Sequence, residues 1–463
     1  MLRLLYLAFY FPPLGGGGVQ RTLNFARYLP EHGVLPIVVT GPAGRGTRHA
    51  PLDASLDLDP ASGCRVVRVD GELPEDARRD RASRLLGRVD RFESAWAEAC
   101  EQAALRAAAQ QPVDAVLATM SPFSTSRAAA RVAARLGVPW VADLRDPWAL
   151  DEMIVYPSRW HRAHELRRMR RSLSSAALVI MNVPEAARAV CAAFPELAAR
   201  TLSLTNGYDA ADFAGPPPAR RDELFRIVHS GSLHVELGDA HSRRRGLRRW
   251  IGGERVPVDI RARSHVHLVR ALERWRREHP DEAGRSRLVL IGRLSDADRA
   301  VFERSSVADL VEARGYLPHA ETIAALRGAD LLFLPMHGLP PGERARIVPG
   351  KAYEYLGARK PILAAVPEGD ARDFVLQSGL GEVCAPDDEG AMVEILRRRF
   401  RAAQEGVAPR PAGEEFFRQF ERRVLAERLA HALEAVVRSA PAADRQNADT
   451  GGRFAGTNQH RRG

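Results

Sequence analysis

Apolar residues in the first half of the chain fall into short runs separated by longer amphipathic stretches. The runs LRLLYLAF (2–9), LPIVVT (35–40), CRVVRV (64–69), DAVLAT (114–119), PWVAD (139–143), ALVIMN (177–182) and TLSLTN (201–206) have the length and turn-bounded character of buried strands. Between them, residues 94–110 and 124–136 carry strong helix formers with apolar positions about 3.6 residues apart, as crossover helices would. Repeated strand–helix units of this kind predict a parallel, doubly wound sheet.

The alternation stops at FAGPPPARRDEL (213–224), a proline-marked linker, and then resumes. FRIVHSGSL (225–233), RLVLIG (287–292), LVEARGYL (310–317), ADLLFLP (329–335), PILAAV (361–366) and GEVCAP (381–386) form a second series. The expected fold class is therefore α/β, with two Rossmann-like domains at 1–212 and 225–413 facing each other across a cleft. Residues 238–264 show no clean period and read as an insertion or mobile loop; residues 414–440 read as a C-terminal helix. The polar, glycine-rich 441–463 has the composition of a disordered tail.

Composition narrows the partners. The 45% apolar content supports two cores, and no apolar run reaches the roughly 18 to 20 residues of a membrane span. The apolar start is short and lacks a small-residue cleavage site, so a cytoplasmic protein is expected. Cys64, Cys100, Cys191 and Cys384 are scattered without a CxxC pair, which supports neither a zinc site nor a disulfide framework. A net charge of +10 and a pI near 10.0 invite a nucleic-acid reading, but lysine occurs only at 351 and 360. The remaining basic residues are arginines in an alanine-rich chain, a compositional bias that needs no polyanion to explain it. The clusters RRMRR (167–171), RRRGLRR (243–249) and RRFR (398–401) lack the interleaved aromatics of nucleic-acid modules, so no nucleic-acid partner is expected. Solvated faces and attraction to an anionic membrane surface both remain open.

Open α/β sheets bind ligands at the carboxyl ends of their strands, and the unusual segments of this chain sit there. The first is PPLGGGGVQR, directly after the first strand. Its glycines let the backbone approach an anion, and the helix that follows turns its free N–H groups toward the same place. The spacing departs from the dinucleotide GxGxxG fingerprint because Val19, Gln20 and Arg21 follow the glycines. A plain βα loop with a solvated arginine is the alternative.

Together the glycine turn, DLRDPW (143–148), TNGYDAADF (205–213) and above all VPGKAYEYLGARKPILAAVPEGDARDF (348–374) resemble family 4 glycosyltransferases, enzymes of the two-domain GT-B architecture. The likeness runs from residue 1 to residue 435 or so. It implies a nucleotide-sugar donor as substrate, no cofactor, no metal ion, and retention of anomeric configuration. It further implies that the C-terminal domain holds the donor and the N-terminal domain a glycan or lipid-linked acceptor. By the same resemblance Glu354 would hydrogen-bond the donor ribose, a fit of two acceptor oxygens to a vicinal diol. Lys351, one turn earlier on the same helix face, would meet the pyrophosphate, unless the two residues form only an exposed i,i+3 ion pair. Gly16 and Gly17 would approach the donor phosphate from the other domain, with Arg21, Ser232 and Arg293 as further donor contacts.

Asp143, Arg145 and Asp146 follow a strand facing the cleft. Arg145 and Asp146 are catalytic candidates, and the competing reading is an Arg–carboxylate network bracing the loop before Pro147 and Trp148. Asn206 and Asp209 read as turn chemistry or as contacts. The sequence also departs from the family pattern. Many relatives carry a glutamate eight residues before the ribose-binding one, where this chain has Arg346; Glu343 is the candidate substitute. The N-domain histidine is missing from LATMSPFSTS, which offers Ser121 and Ser124 instead. HSGSLHVELGD lacks the basic pair expected to bind the pyrophosphate, leaving Arg293, Arg344 or Arg346 to supply the charge. These losses leave two possibilities, a divergent subfamily with its own anion contacts or a chain that has lost transfer activity; the rivals to a transferase are a GT-B nucleotide-sugar epimerase and a non-catalytic subunit that binds a partner or a membrane surface.

Overall fold

The computed structural model describes residues 1–42, 52–53, 56, 63–70, 73, 91–216, 218, 222–243, 246 and 250–440. The expected tail and most of RRRGLRR lie outside the described residues.

Each predicted apolar run of the first half forms a strand: β1 Leu2–Ala8, β2 Val34–Thr40, β3 Arg65–Arg68, β4 Ala115–Met120, β5 Trp140–Leu144, β6 Leu178–Met181 and β7 Thr201–Ser203. They pair in parallel in the order β3-β2-β1-β4-β5-β6-β7. The connecting helices include α1 Gly17–Tyr28, α2 Arg91–Gln110, α3 Thr125–Leu136, α4 Arg159–Leu173 and α5 Pro184–Ala193. Strand β1 is central and covered on both faces, with Leu4, Leu5, Tyr6 and Leu7 all 0% exposed, which is why it reads as an unbroken apolar run. The strand order reverses between β1 and β4, so the loops that follow them diverge and leave a crevice.

The second domain repeats the plan with β8 Phe225–Ser230, β9 Ser286–Ile291, β10 Val311–Gly315, β11 Leu331–Pro335, β12 Ile362–Ala365 and β13 Gly381–Cys384. These too run parallel, in the order β10-β9-β8-β11-β12-β13. Its helices include α6 Val235–Ser242, α7 Val266–Glu278, α8 Asp296–Glu303, α9 His319–Arg327, α10 Gly350–Ala358, α11 Asp370–Gln377 and α12 Glu389–Gln404.

Two segments differ from expectation. The stretch read as an insertion or mobile loop begins inside α6, and its later part is held by both domains. Tyr156 N donates to Gly253 O (3.0 Å), Arg159 N to Ile251 O (3.0 Å), and Asp259 and Gly338 exchange backbone bonds of 2.9 and 2.8 Å. Val258, Ile260 and Ala262 are buried there at alternate positions, yet the run forms no strand. The expected C-terminal helix is in fact a short helix, Glu414–Arg418, followed by α13, Arg422–Ser439. At the break the chain crosses back between domains: Tyr208 N donates to Phe420 O (3.0 Å) and Arg422 N to Tyr208 O (2.9 Å). Helix α13 then lays Leu425, Ala426, Leu429, Ala430 and Leu433, a stripe of helical spacing, into the N-terminal core beside Val19, Leu23 and Ala26.

Candidate functional site

A cavity of about 750 Å³ lies between the carboxyl ends of the two sheets. Gly16, Arg21 and Asn206 line it from the N-terminal domain, and Ser232, Arg293, Lys351 and Glu354 from the C-terminal one. Arg145, Asp146 and Glu343 do not line it, and Gly17 is the first residue of α1.

Gly16 sits at φ +86°, the left-handed region open to glycine, and starts α1. Arg145 holds this turn from behind. Its guanidinium donates to Gly18 O, to Met120 O (3.3 Å) and to Ser121 O (3.4 Å), and lies 5.3 Å from the Tyr10 ring centre. A Cβ on Gly18 would come within 2.6 Å of Arg145 Nη1, so the glycine is required for that approach. This corrects the catalytic reading of Arg145, whose donors are taken up by carbonyls. Asp146 is exposed outside the cavity. Glu343 is likewise turned elsewhere, paired with Arg255 at 3.1 Å.

The role expected of Arg21 also changes. Its side chain is only 3% exposed; Nε and Nη2 donate to the Asp143 carboxylate (2.7 Å at the shortest), and Nη1 to Thr205 O (2.9 Å) and Asn206 Oδ1 (3.3 Å). Thr119 Oγ1 donates to Asp143 Oδ2 (2.8 Å) and shares a 3.0 Å hydrogen bond with Tyr6 OH. The bracing network is realised, and with every Arg21 nitrogen engaged, the residue ties α1 to β5 and to the end of β7. Asp209 is structural too: it accepts from Tyr28 OH and caps Ala211 N at 3.2 Å.

On the opposite wall, α10 begins after Pro349 with no side-chain cap, and its first two turns present Lys351 and Glu354 to the cavity. Among the described residues no side chain hydrogen-bonds the Glu354 carboxylate. Lys351 Nζ lies 3.1 Å from His229 Nε2, and His229 Nδ1 lies 3.0 Å from Phe333 O. The carbonyl fixes the proton on Nδ1 and leaves Nε2 as an acceptor for the ammonium. Burial, and then the Lys351 charge, push the His229 pKa well below its usual value. Burial and the Arg263 guanidinium in turn lower Lys351 to about 7, with Glu354 opposing. Gly231, at φ +98°, makes room for the lysine: a Cβ there would lie 3.1 Å from Nζ.

Arg263 was missed because it closes the segment read as an insertion or mobile loop. It lines the cavity half-buried, with Nη1 3.0 Å from Met153 Sδ. His229 could have been noticed as a polar residue inside an otherwise apolar strand. His319 also lines the cavity and is bonded to Asp212 (2.7 Å), an interaction that raises its pKa against the effect of burial. Tyr316 OH reaches across the domains to Asp53 Oδ2 (2.7 Å), while the exposed Arg293 lies 5.9 Å from the Tyr316 ring centre.

Arg344 and Arg346 belong to the domain interface rather than the cavity. Arg344 pairs with Glu185 (2.8 Å) and Asp373 (2.5 Å). Arg346 donates from Nη1 to Leu150 O (3.1 Å), and its backbone N–H donates to Glu152 Oε1 (3.0 Å). Glu152 is also 3.1 Å from His337, both side chains 0% exposed. Arg346 therefore joins the domains where relatives place a glutamate. Among the described residues, Lys351, Arg263 and Arg293 face the cavity from the C-terminal domain, and Arg422 at the start of α13 lines it as well. No group of three or more His, Cys, Asp or Glu side chains among the described residues is arranged to hold a metal ion. No described helix is long and apolar enough to cross a membrane.

Residues 16–207 match the family model described as glycosyl transferase 4-like domain. No curated protein matches the sequence. Among solved structures, HepE of Anabaena in complex with UDP and glucose is 15% identical, with a TM-score of 0.57 over 94% of this chain and 100% of that one. The α,α-trehalose 6-phosphate synthase of Burkholderia multivorans is 14% identical, with a TM-score of 0.60 over 95% and 100%. A glycosyltransferase of Rickettsia africae is 12% identical, with a TM-score of 0.58 over 95% and 99%. At such identities the likeness is one of fold. Residues 16–207 thus resemble a glycosyl transferase 4-like domain, in a chain whose two-domain fold is the one shared by these GT-B structures.

Proposed function

We propose that the protein is a cytoplasmic transferase that moves a sugar from a nucleoside diphosphate sugar, a uridine one first among the candidates, to a hydroxyl of a glycan or lipid-linked acceptor with retention of configuration. The observation that carries this reading is the unpartnered Glu354 carboxylate one turn from Lys351, facing the glycine turn across the cavity. A carboxylate left without a donor at the wall of a cavity is costly unless a ligand supplies one, and a ribose diol does. UDP occupies HepE, a fold relative, which supports uridine as the base to try first.

In this reading Lys351, Arg263 and Arg293 collect the diphosphate at the amino end of α10, and the Gly16 backbone meets it from the other domain. Departure of the diphosphate leaves negative charge at this cluster and positive charge on the sugar, so catalysis is electrostatic stabilisation and positioning. The cationic set answers the leaving-group charge, so the reaction is proposed to need no metal ion. The acceptor would enter along the N-terminal wall.

The test is a thermal-shift panel of UDP, GDP, ADP, CMP and dTDP, followed by calorimetry on the best. A ligand present at 100 times its dissociation constant stabilises by about 2.7 kcal/mol, well above detection. Absence of a response to every nucleotide would overturn the proposal.

A further inference from the structure

Of the six tryptophans in the chain, Trp96, Trp140, Trp148 and Trp275 are buried, whereas Trp160 and Trp250 are 68% and 84% exposed. The two exposed indoles come from different domains and yet sit on adjoining segments. Arg159, next to Trp160, donates its backbone N–H to the carbonyl of Ile251, next to Trp250 (3.0 Å). Gly252, at φ +69°, allows this approach, since a Cβ there would lie 3.1 Å from Arg159 Cβ.

Along α4, Trp160, His164, Arg167 and Arg171 follow one another at helical spacing and are all exposed. Their neighbours are neutralised internally: Arg168 by Glu93 and Glu165, Arg170 by Glu196 at 2.6 Å. Among the described residues Arg159, Arg167 and Arg171 have no carboxylate partner, and the Arg159 guanidinium lies 5.5 Å from the Trp160 ring centre. The sequence just before Trp250, RRRGLRR, adds only positive charge.

We propose that this face, built on Trp160, Trp250, Arg159, Arg167 and Arg171, docks the protein on an anionic lipid bilayer. Indole rings favour the headgroup level of a bilayer, and arginines beside them are drawn to an anionic surface. The stripe carries no carboxylate to oppose that attraction. It also explains why two costly apolar rings stay in water on adjoining segments while every other tryptophan is covered. Because the docked face joins segments of both domains through the Arg159–Ile251 bond, docking would set both domains against the lipid surface.

The test is co-sedimentation of the full chain with vesicles of phosphatidylcholine alone or with roughly a third phosphatidylglycerol, together with tryptophan quenching by brominated lipid. Binding is expected only to the phosphatidylglycerol vesicles, and weaker in higher salt as the charges are screened. Arg167→Ser with Arg171→Ser should cut the partition about tenfold or more, and Trp160→Ala with Trp250→Ala should abolish the quenching. Unchanged unfolding temperature and unchanged UDP titration in both variants exclude misfolding and separate this test from that of the donor site. Equal binding to both vesicle types, no binding to either, or wild-type binding by the tryptophan variant would overturn the proposal. So would full competition by millimolar inorganic phosphate, which would indicate a site for free anions.

Discussion

Replacing Lys351 with Met is expected to make the empty protein more stable and the diphosphate complex weaker. Burial and Arg263, opposed by Glu354, lower the lysine from 10.5 to about 7. A difference of that size corresponds to about 5 kcal/mol between the protonation states. The side chain retains some contact with the water of the cavity, and screening leaves about 2 to 3 kcal/mol of this as a penalty on the fold. The 3.1 Å bond to His229 offsets about 1 kcal/mol. Lys351→Met keeps the stem and removes the ammonium, so a net gain of about 1 to 2 kcal/mol is expected near neutral pH, a rise of about 2 to 6 °C in unfolding temperature. The unfolded chain keeps its lysine protonated up to 10.5, whereas the folded protein releases that proton near 7. Between those values the unfolded state binds the extra proton, so the parent gains stability as pH rises through this window. The variant, with nothing to titrate there, does not, and the gap should close toward pH 10. Affinity for UDP should fall about tenfold or more, while affinity for uridine stays put. Thermal unfolding across pH 7 to 9.5 with and without UDP, plus calorimetry, measures all of this. A variant less stable than the parent at pH 7 that binds UDP equally well would refute the reasoning.

Glu354→Ala should lose charge-assisted hydrogen bonds to the ribose and weaken UDP by about tenfold or more in calorimetry, with the empty protein's unfolding midpoint unmoved; parent-like affinity would place the nucleotide elsewhere. Arg21→Ala should instead strand Asp143, which is 1% exposed, and lower stability in urea by about 3 to 5 kcal/mol; a cost under about 1 kcal/mol would mean that the ion pair is not structural. Transfer activity should survive EDTA, because the leaving diphosphate meets Lys351, Arg263 and Arg293; loss on chelation with recovery in Mn²⁺ would contradict this. Gly16→Val, forced into φ +86°, should reduce transfer by distorting the turn, and unaltered turnover would show that the turn does not touch the donor.

Why some of this was legible and some was not can be argued residue by residue. The inner strands such as β4 and β5 could be read because each is buried on both faces, so burial alone writes an apolar run of the right length; the edge strands β3, β7 and β10 are partly exposed. Lys351 and Glu354 could be read because their relation is local: three residues apart on a helix that starts at a Pro-Gly turn. Arg21 could not. An arginine after a glycine turn has the same sequence whether it reaches out to a phosphate or in to a carboxylate, and its partner Asp143 is 122 residues away. Arg145 was unreadable for the same reason, since backbone carbonyls, which leave no mark in the sequence, take up its donors, and Arg346 turns its Nη1 to the Leu150 carbonyl of the other domain. Arg263 was hidden at an alternating position of a short run that forms no strand, where a half-buried arginine reads as a solvated one.

The seating of α13 makes the N-terminal domain discontinuous in sequence, with residues 422–439 completing a core begun at residue 2. The C-terminal half of the chain thus supplies a part of the N-terminal domain. A protease that cuts only within 213–224 should leave two polypeptides that stay together through that helix. A fragment ending at residue 212 should collapse, with the α1 face of Val19, Leu23 and Ala26 uncovered. The same fragment supplied with 422–439 as a separate peptide, or joined to it by a short tether, should regain its fold, a complementation that ordinary two-domain chains joined by one linker do not require.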